Sequence, residues 1–328
     1  MQSLPGVAAA LLRACGSLAA PGGKRGSLLV LIFHRVLPQK DPLMPGEPDA
    51  PGFAAQMDVI AATCRVLPLS EAIERLYSGS LPERAACITF DDGYANNLTM
   101  AAPILKARGL PATVFVATGF LGGGRMWNDT VIESIRVARN ELDLTPIGLG
   151  RHALSDIPAR RRAIDAVIGA LKYGDPRERV AKALQVAECA GGELPNDLMM
   201  TEQQVRQLRK EGIEIGAHTV THPILACVEE SEARREIAAS KSALEAMIGE
   251  PVKLFAYPNG RPNRDYGRVH VDMVRELGFD AAVSTAWGAV ARNSDRYQLP
   301  RMLPWDNSAL KFAARLFRTH RERDAEKV

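Results

Sequence analysis

The sequence contains no C-x-x-C pair, no internal repeat and no low-complexity tract. Its five cysteines, Cys15, Cys64, Cys87, Cys189 and Cys227, are odd in number and widely scattered. That pattern excludes a cysteine zinc module and argues against a disulfide framework, so the five read as reduced thiols of a core. An excess of one charge is lacking too. Forty-one Lys and Arg against 38 Asp and Glu leave a net charge of +3, too small and too dispersed for a nucleic-acid surface, and no nucleic-acid partner is expected. The apolar run from Gly6 to Leu12 is short, lacks a basic start and is interrupted by Arg13. It supports neither a signal peptide nor a transmembrane segment. A cytoplasmic protein is expected, with association at the inner membrane face left open.

The hydrophobic fraction of 46% and the charged fraction of 24% sit near globular averages, so a soluble chain with a large core is expected. A length of 328 residues exceeds the usual single domain, yet α/β barrels reach it as one unit. Short apolar, β-rich runs recur between helical stretches: Leu28 to Phe33, Ala86 to Phe90, Ala112 to Val116, Ile213 to Ala217, Lys253 to Tyr257, Ala281 to Ser284 and Gln298 to Leu303. They read as buried parallel strands. Amphipathic patterns lie between them, such as Ala101 to Arg108 stopped by Gly109, and Glu229 to Ile248 stopped by Gly249, where glycine supplies the left-handed helix end. The alternation implies repeated βα units.

From about 127 to 209 the pattern is helical with breaks at Pro146, Pro158, Gly174 with Pro176, and Gly191 with Gly192, and reads as a helical insertion. Its Arg160, Arg161 and Arg162 suit a solvated helix face, the alternative being contact with an anionic ligand. The catalytic unit is expected over 28–320, after an N-terminal segment of helical character at 1–27 and before a charged tail at 321–328. Over Ser308 to His320, residues Ala309, Phe312, Ala313, Leu316 and Phe317 share one helical face. That face packs on the barrel or, alternatively, makes a peripheral membrane contact.

Several strands run directly into polar residues: Phe33 into His34, Phe90 into Asp91 and Asp92, Ala217 into His218, and Tyr257 into Pro258 and Asn259. In a barrel of parallel strands the C-terminal ends gather such residues into one site. Thr89-Phe90-Asp91-Asp92-Gly93 places two adjacent carboxylates there. Alone the pair suits a helix N-cap; buried, it demands a compensating cation or proton. Adjacent strand residues point to opposite sides, so one carboxylate is expected to face a metal and its neighbour a bound water. His218-Thr219-Val220-Thr221-His222-Pro223 supplies two imidazoles four residues apart, which meet one ion if the strand end turns into a helical loop. Two histidines and one carboxylate form an open set suited to zinc as Lewis acid and water activator.

On these two motifs the sequence resembles the polysaccharide deacetylase family, the NodB-homology carbohydrate esterases. The family's T-F-D-D-G stands unbroken as Thr89 to Gly93, and its H-[ST]-x-x-H-P as His218 to Pro223. Strand spacing extends the likeness from about Leu28 to Leu303. The resemblance implies an α/β fold, a distorted, TIM-like (β/α)7 barrel. Position by position it implies Asp91 as general base and Asp92, His218 and His222 as ligands of a divalent metal, Zn2+ first, with Co2+, Ni2+ or Fe2+ as alternatives. The implied partner is an N-acetylated carbohydrate, the family's usual substrates being the sugars of chitin, peptidoglycan or exopolysaccharide. Hydrolysis of another amide, and a non-catalytic carbohydrate-binding role, stand as alternatives.

The family's third signature carries an arginine before a Pro-Tyr pair; here Leu254 to Gly260 reads L-F-A-Y-P-N-G, without it. An ionised base in a dry site needs a cation to orient it, and Arg301, at the end of the last expected strand, is the candidate, a surface ion pair being the alternative. The family's late Leu-x-x-His acid motif is absent, since His270 and His320 lie in helical patterns. A subset of the family resembles a circular permutation with the acid strand first, and His34 fits that place as general acid; a core histidine is the plainer alternative. His152 receives no role. Tyr94, Tyr257, Pro258, Asn259 and Trp287 are expected to contact substrate, Trp287 by stacking on a sugar ring unless packing buries it, and Trp127 carries the same ambiguity. A backbone amide near Tyr94 is expected to receive the oxyanion.

Overall fold

The computed structural model describes residue 13, residues 16–306 and residues 308–328. Of the segment 1–27 expected to be helical, a helical turn at 16–19 is described, while Cys15 and the whole apolar run from Gly6 to Leu12 lie outside the described residues.

In chain order the strands are β1 (Ser27–Phe33), β2 (Arg65–Val66), β3 (Ala85–Phe90), β4 (Thr113–Val116), β5 (Glu141–Leu144), β6 (Gly150–Ala153), β7 (Glu214–Ala217), β8 (Leu254–Ala256), β9 (Ala281–Trp287), β10 (Val290–Ala291) and β11 (Leu299–Arg301). Every residue of β1 and β3 is buried, as parallel strands covered on both faces require. The parallel pairs run β1-β3-β4-β7-β8-β9-β11. Met302 closes the ring: its N–H donates to the Val30 carbonyl at 2.8 Å, and its carbonyl accepts from Ile32 at 3.0 Å. The seven expected runs thus form an α/β barrel, with β2 beside β3 and β10 antiparallel to β1 outside the ring. Along β1 the alternation splits two cores: Leu29, Leu31 and Phe33 join Ile88 and Phe90, while Leu28 and Val30 join Cys87 and Phe115. Phe90 sits 5.5 Å from Phe33 and 5.8 Å from Phe53 between ring centroids. Truncating it to alanine would cost about 3–5 kcal/mol and loosen the strand end that delivers the two aspartates.

The helices are α1 (Ala50–Thr63), α2 (Leu69–Ser78), α3 (Ala102–Lys106), α4 (Trp127–Val137), α5 (Ile157–Leu171), α6 (Pro176–Ala190), α7 (Glu202–Lys210), α8 (Glu230–Ile248), α9 (Arg268–Glu276) and α10 (Ala309–Thr319). α8 stops at Gly249 with φ +71°, as expected. α3 does not follow the expected plain helix, because a π turn at Asn97–Ala101 precedes it. Pro103 has no N–H to continue a regular ladder there, and such widened turns recur at functional sites. The expected face of α10 buries Phe312, Ala313, Leu316 and Phe317 and packs on α1, so it is not free for a membrane. Among the described residues no helix is long and apolar enough to cross one. The tail is docked rather than free: Ala289 donates to the Glu322 carbonyl and Val328 N–H to Gln298 Oε1, both at 2.8 Å.

The insertion corrects the sequence reading in three places. Between α4 and α5 lies an antiparallel hairpin of β5 and β6, so the segment is not wholly helical. α7 belongs to the barrel, leading into β7 from a capping box in which Thr201 N–H donates to Gln204 Oε1 (2.8 Å) and Gln204 N–H to Thr201 Oγ1 (3.2 Å). Arg160 is no solvated charge, since it donates to the carbonyls of Ala138 (2.9 Å) and Arg139 (3.0 Å) and caps the end of α4; Arg161 and Arg162 are exposed. α4, α5 and α6 enclose a core of their own around Val131, Ile135, Val167 and Val186. One cysteine also departs from expectation: Cys87 is buried, but Cys189 is exposed.

Candidate active site

His34 follows β1, Asp91 and Asp92 follow β3, His218 follows β7, Asn259 follows β8 and Arg301 ends β11. All sit at C-terminal strand ends, and the first five, with His222, line one cleft of about 370 Å³. Phe33 pairs with Phe90 in register, so His34 and Asp91 emerge side by side. Asn97, buried in the π turn, donates Nδ2 to the His34 carbonyl at 2.9 Å and fixes that backbone.

The two aspartates are not separated by strand alternation as expected. Asp92 lies beyond the strand with φ +73°, followed by Gly93 at +88°, and this left-handed turn sends its carboxylate apart from that of Asp91. A Cβ at Gly93 would stand 3.2 Å from Val116 Cγ1. The loop from His218 to His222 is likewise no helical turn: Thr219 and His222 take φ +63° and +52°. Such a conformation costs a residue with a side chain about 1–2 kcal/mol and needs surroundings that impose it. Glu236 of α8 provides them. Buried, it accepts from Val220 N–H, Thr221 N–H and Thr221 Oγ1, each at 2.8 Å. Sequence reading missed Glu236; its signal was a carboxylate on the α8 face that buries Ala233, Ile237, Ser240 and Leu244.

Arg301 makes a two-pronged pair with Asp91, Nη1 to Oδ1 and Nη2 to Oδ2, both 2.7 Å, while Nε donates to the Ser284 carbonyl at 2.8 Å. The pair is fully buried, which excludes the surface ion pair. Burial pushes the Asp91 carboxyl up, but Arg301, then His218 and His34, outweigh it and hold the group below the usual carboxylate range.

On the other side of the turn, Asp92 Oδ1 stands 3.4 Å from Nε2 of both His218 and His222. Those contacts are long for strong hydrogen bonds. They match the edge of a tetrahedron whose metal bonds are about 2.0–2.1 Å, which is about 3.3 Å. Donor chemistry agrees. His218 Nδ1 lies 2.7 Å from the Ala256 carbonyl, so its proton sits on Nδ1 and Nε2 keeps a lone pair. Burial drives His222 down to about 3 against the pull of Asp92, leaving a neutral ring. For His218 burial acts the same way, but Asp92 and Asp91 outweigh it and raise its pKa. The three donor atoms fall within 4.8 Å of one another. This is the only such cluster among the described residues, and it fits a divalent ion with open coordination positions.

The remaining expected contacts divide. Tyr94 and Asn259 line the cleft, as does Trp127 from the insertion. Tyr257 does not: fully buried, it stacks on Tyr266 at 3.9 Å and donates its hydroxyl to the Tyr297 carbonyl at 3.0 Å. Pro258 is buried beside it and is absent from the cleft wall. Trp287 packs against Trp305 at 4.9 Å and donates Nε1 to Glu322, so its ring is also off that wall. A group that sequence reading did not single out also lines the cleft. Asp129 of α4 accepts from Arg35 Nη1 (3.1 Å), Tyr94 OH (3.2 Å) and Met126 N–H (3.0 Å). Burial nevertheless pushes its carboxyl up to about 6, against Arg35.

The family pattern described as Polysaccharide deacetylase matches residues 78–145 and 173–282, more than half of the chain. YxkH of Bacillus subtilis (strain 168), which carries a polysaccharide deacetylase name, is 22% identical over 220 residues, 67% of this chain and 51% of its own. The chain thus spans about half the length of that curated relative. The Streptococcus pyogenes deacetylase PplD in complex with acetate covers 89% of this chain and 99% of its own at 18% identity and a TM-score of 0.60. IcaB from Ammonifex degensii covers 90% and 98% at 21% identity and 0.59. At these identities the structural likeness is one of fold.

Proposed function

Because this chain belongs to the polysaccharide deacetylase family, we propose that it hydrolyses an N-acetyl group on an amino sugar of a polysaccharide or its lipid-linked precursor, releasing acetate. One observation carries the reading: two adjacent carboxylates in one cleft are divided, Asp91 onto Arg301 and Asp92 onto two imidazoles. A base and a metal ligand require that division.

Asp92, His218 and His222 hold the divalent ion, zinc by its donor set, with cobalt, nickel or iron as alternatives. When bound, the ion polarises the acetyl carbonyl and lowers the pKa of water from about 15.7 toward about 7. Asp91, kept ionised and aimed by Arg301, takes the proton of the water that attacks the acetyl carbon. A backbone amide near Tyr94 receives the oxyanion. His34 gives a proton to the amine nitrogen as the C–N bond breaks, because an unprotonated amine is a prohibitive leaving group. The new C–O bond leaves with acetate. Tyr94 and Asn259 contact the sugar.

Zinc-loaded protein and an N-acetylglucosamine tetramer should yield acetate and free amine in equal amounts. Asp91→Asn should keep its metal while turnover falls about 100-fold or more. Absence of acetate from every N-acetylated oligomer with the site loaded overturns the reading, and loss of metal from Asp91→Asn would show the two aspartate roles exchanged.

A further inference from the structure

The end of α5 meets the loop after β8 beside the cleft. Lys172, half-buried, lines the cleft, as does Asn259. Next to it, Arg264 lies 4.6 Å over the ring of Tyr173, and both Arg264 and Arg261, on the same loop, are exposed. Behind them Arg179 of α6, only 3% exposed, donates to the carbonyls of Lys172 (3.2 Å) and His222 (3.4 Å) and lies 4.8 Å over the Trp127 ring. Among the described residues none of these four cations has a carboxylate within 4.0 Å, and the Nε of buried Arg179 has no partner at all. The acids near these cations are already engaged: Asp265 accepts from Arg261 N–H (2.9 Å) and Tyr173 OH (3.3 Å), and Asp175, beside Arg179, accepts from the N–H groups of Arg177 (2.9 Å) and Glu178 (3.1 Å).

Buried and half-buried cations are ordinarily paired, and elsewhere around this cleft they are: Arg301 with Asp91, Arg35 with Asp129. At the seam, buried Arg179 and half-buried Lys172 have no such partner among the described residues. Burial, opposed by Asp265 and reinforced by Arg264 and Arg179, holds the Lys172 ammonium below its ordinary range. An anion there would offset the desolvated charges of Lys172 and Arg179, and the exposed Arg264 guanidinium beside the Lys172 ammonium is a fitting receptor for carboxylate or phosphate.

We propose that this seam is an anion subsite, with Lys172 and Arg264 as its contacts and Arg261 and Arg179 adding field, and that the amino sugar whose N-acetyl group enters the cleft carries a carboxylate or phosphate on its own ring or on the neighbouring residue. The inference rests on the deacetylase reading and deepens it to a substrate class. A neutral homopolymer of N-acetylglucosamine is then a poor substrate. The association rate for the anionic chain falls with salt, because the cleft concentrates field between low-dielectric walls.

The test compares three probes on the zinc-loaded enzyme: the neutral N-acetylglucosamine tetramer, a tetrasaccharide alternating N-acetylglucosamine with glucuronate, and N-acetylglucosamine 1-phosphate. The quantity read is the ratio of kcat/KM for each anionic probe to that for the neutral one. It should exceed unity by about tenfold for at least one anionic probe, identifying carboxylate or phosphate as the source, and shrink as salt rises. Lys172→Met and Arg264→Met should each lower that ratio roughly threefold to fivefold through KM, while Lys172→Arg keeps it. Equal kcat/KM for all probes at low salt, or variants that lower all probes in proportion, would overturn the subsite. If no probe releases acetate, the deacetylase reading fails. The subsite is then judged by calorimetric binding of the same probes to zinc-loaded Asp91→Asn, where lack of preference for either anionic probe also overturns it.

Discussion

Buried histidines stand at both ends of this barrel, alike in burial and different in what surrounds them. At the C-terminal end of the strands, His218 has one nitrogen on the Ala256 carbonyl and the other facing Asp92, and its pKa is raised by the aspartates despite burial. At the N-terminal end, His320 meets Ser27 Oγ through Nδ1 at 2.9 Å while its Nε2 has no partner among the described residues, and burial drives its pKa to about 3. Burial is common to both; the partner set is not. At the C-terminal end the ring faces carboxylates that raise its pKa, which is where the candidate chemistry gathers, whereas at the N-terminal end the ring meets a hydroxyl and stays neutral. The contrast can be attacked one group at a time.

The largest effect is expected where matching is tightest. Arg301→Met leaves the Asp91 carboxylate buried without its cation, so unfolding free energy should fall by about 3–5 kcal/mol. With the cation gone, the Asp91 pKa rises and the acidic limb of the kcat/KM profile should move to higher pH. Denaturant melts and a pH–rate profile read the two effects separately; unchanged values of both would mean that the two-pronged pair does not govern Asp91. Next, His34→Ala should lower kcat about 100-fold and remove the basic limb of the profile, with metal content retained. Wild-type turnover in that variant would leave His34 a residue of the cleft wall with no part in proton transfer.

Much of this charged end was legible because the parallel strands are short, fully apolar and followed at once by their functional residues. Phe33-His34, Phe90-Asp91-Asp92 and Ala217-His218 each announce a strand end and a donor in one stroke. Arg301 followed from a missing partner, although residues 283 onward and β1 lie outside the family match. What the pattern could not carry was backbone handedness. Asp92, Thr219 and His222 all take positive φ, which no residue type there advertises, so the separation of the aspartates was assigned to alternation and the metal loop to a helix. Tyr257 was misread for a related reason: it continues the inward alternation of β8 into the Phe255 and Tyr266 stack rather than turning out with Asn259. The insertion hid its hairpin because Glu141 to Ala153 contains charge, Pro146 and two glycines in place of a β-branched run. Its contribution to the cleft rests on tertiary packing that no local pattern encodes.

A smaller effect should expose that contribution. Arg179 reaches from α6 to the carbonyl of His222, whose left-handed backbone must be imposed from outside. Arg179→Met should therefore weaken zinc affinity roughly 10- to 100-fold, the range expected for a group supporting a ligand from behind. Competition with a chelator of known affinity measures it without reference to turnover. Affinity equal to wild type would mean that Arg179 does not support the His222 backbone.

The smallest effect tests the other end. His320 is neutral in the folded protein down to about pH 3, whereas an unfolded histidine takes up its proton near pH 6.5. A folded pKa depressed in this way gives stability that is fully present above about pH 6.5. That stability is lost progressively as pH falls toward the folded value, because only the unfolded chain binds the proton in that interval. One unit below the unfolded pKa, at about pH 5.5, the loss is about 1.4 kcal/mol. His320→Asn keeps an acceptor near Ser27 and has nothing to titrate there. It pays a constant packing cost at every pH, so the informative quantity is the change in stability between about pH 7.5 and 5.5. Urea melts of both proteins should show wild type losing about 1.4 kcal/mol more across that interval, the histidines of the metal site cancelling in the comparison. Equal losses would mean that His320 is charged or solvated at the barrel's base, and the distinction between the two ends would then lie in their carboxylates alone.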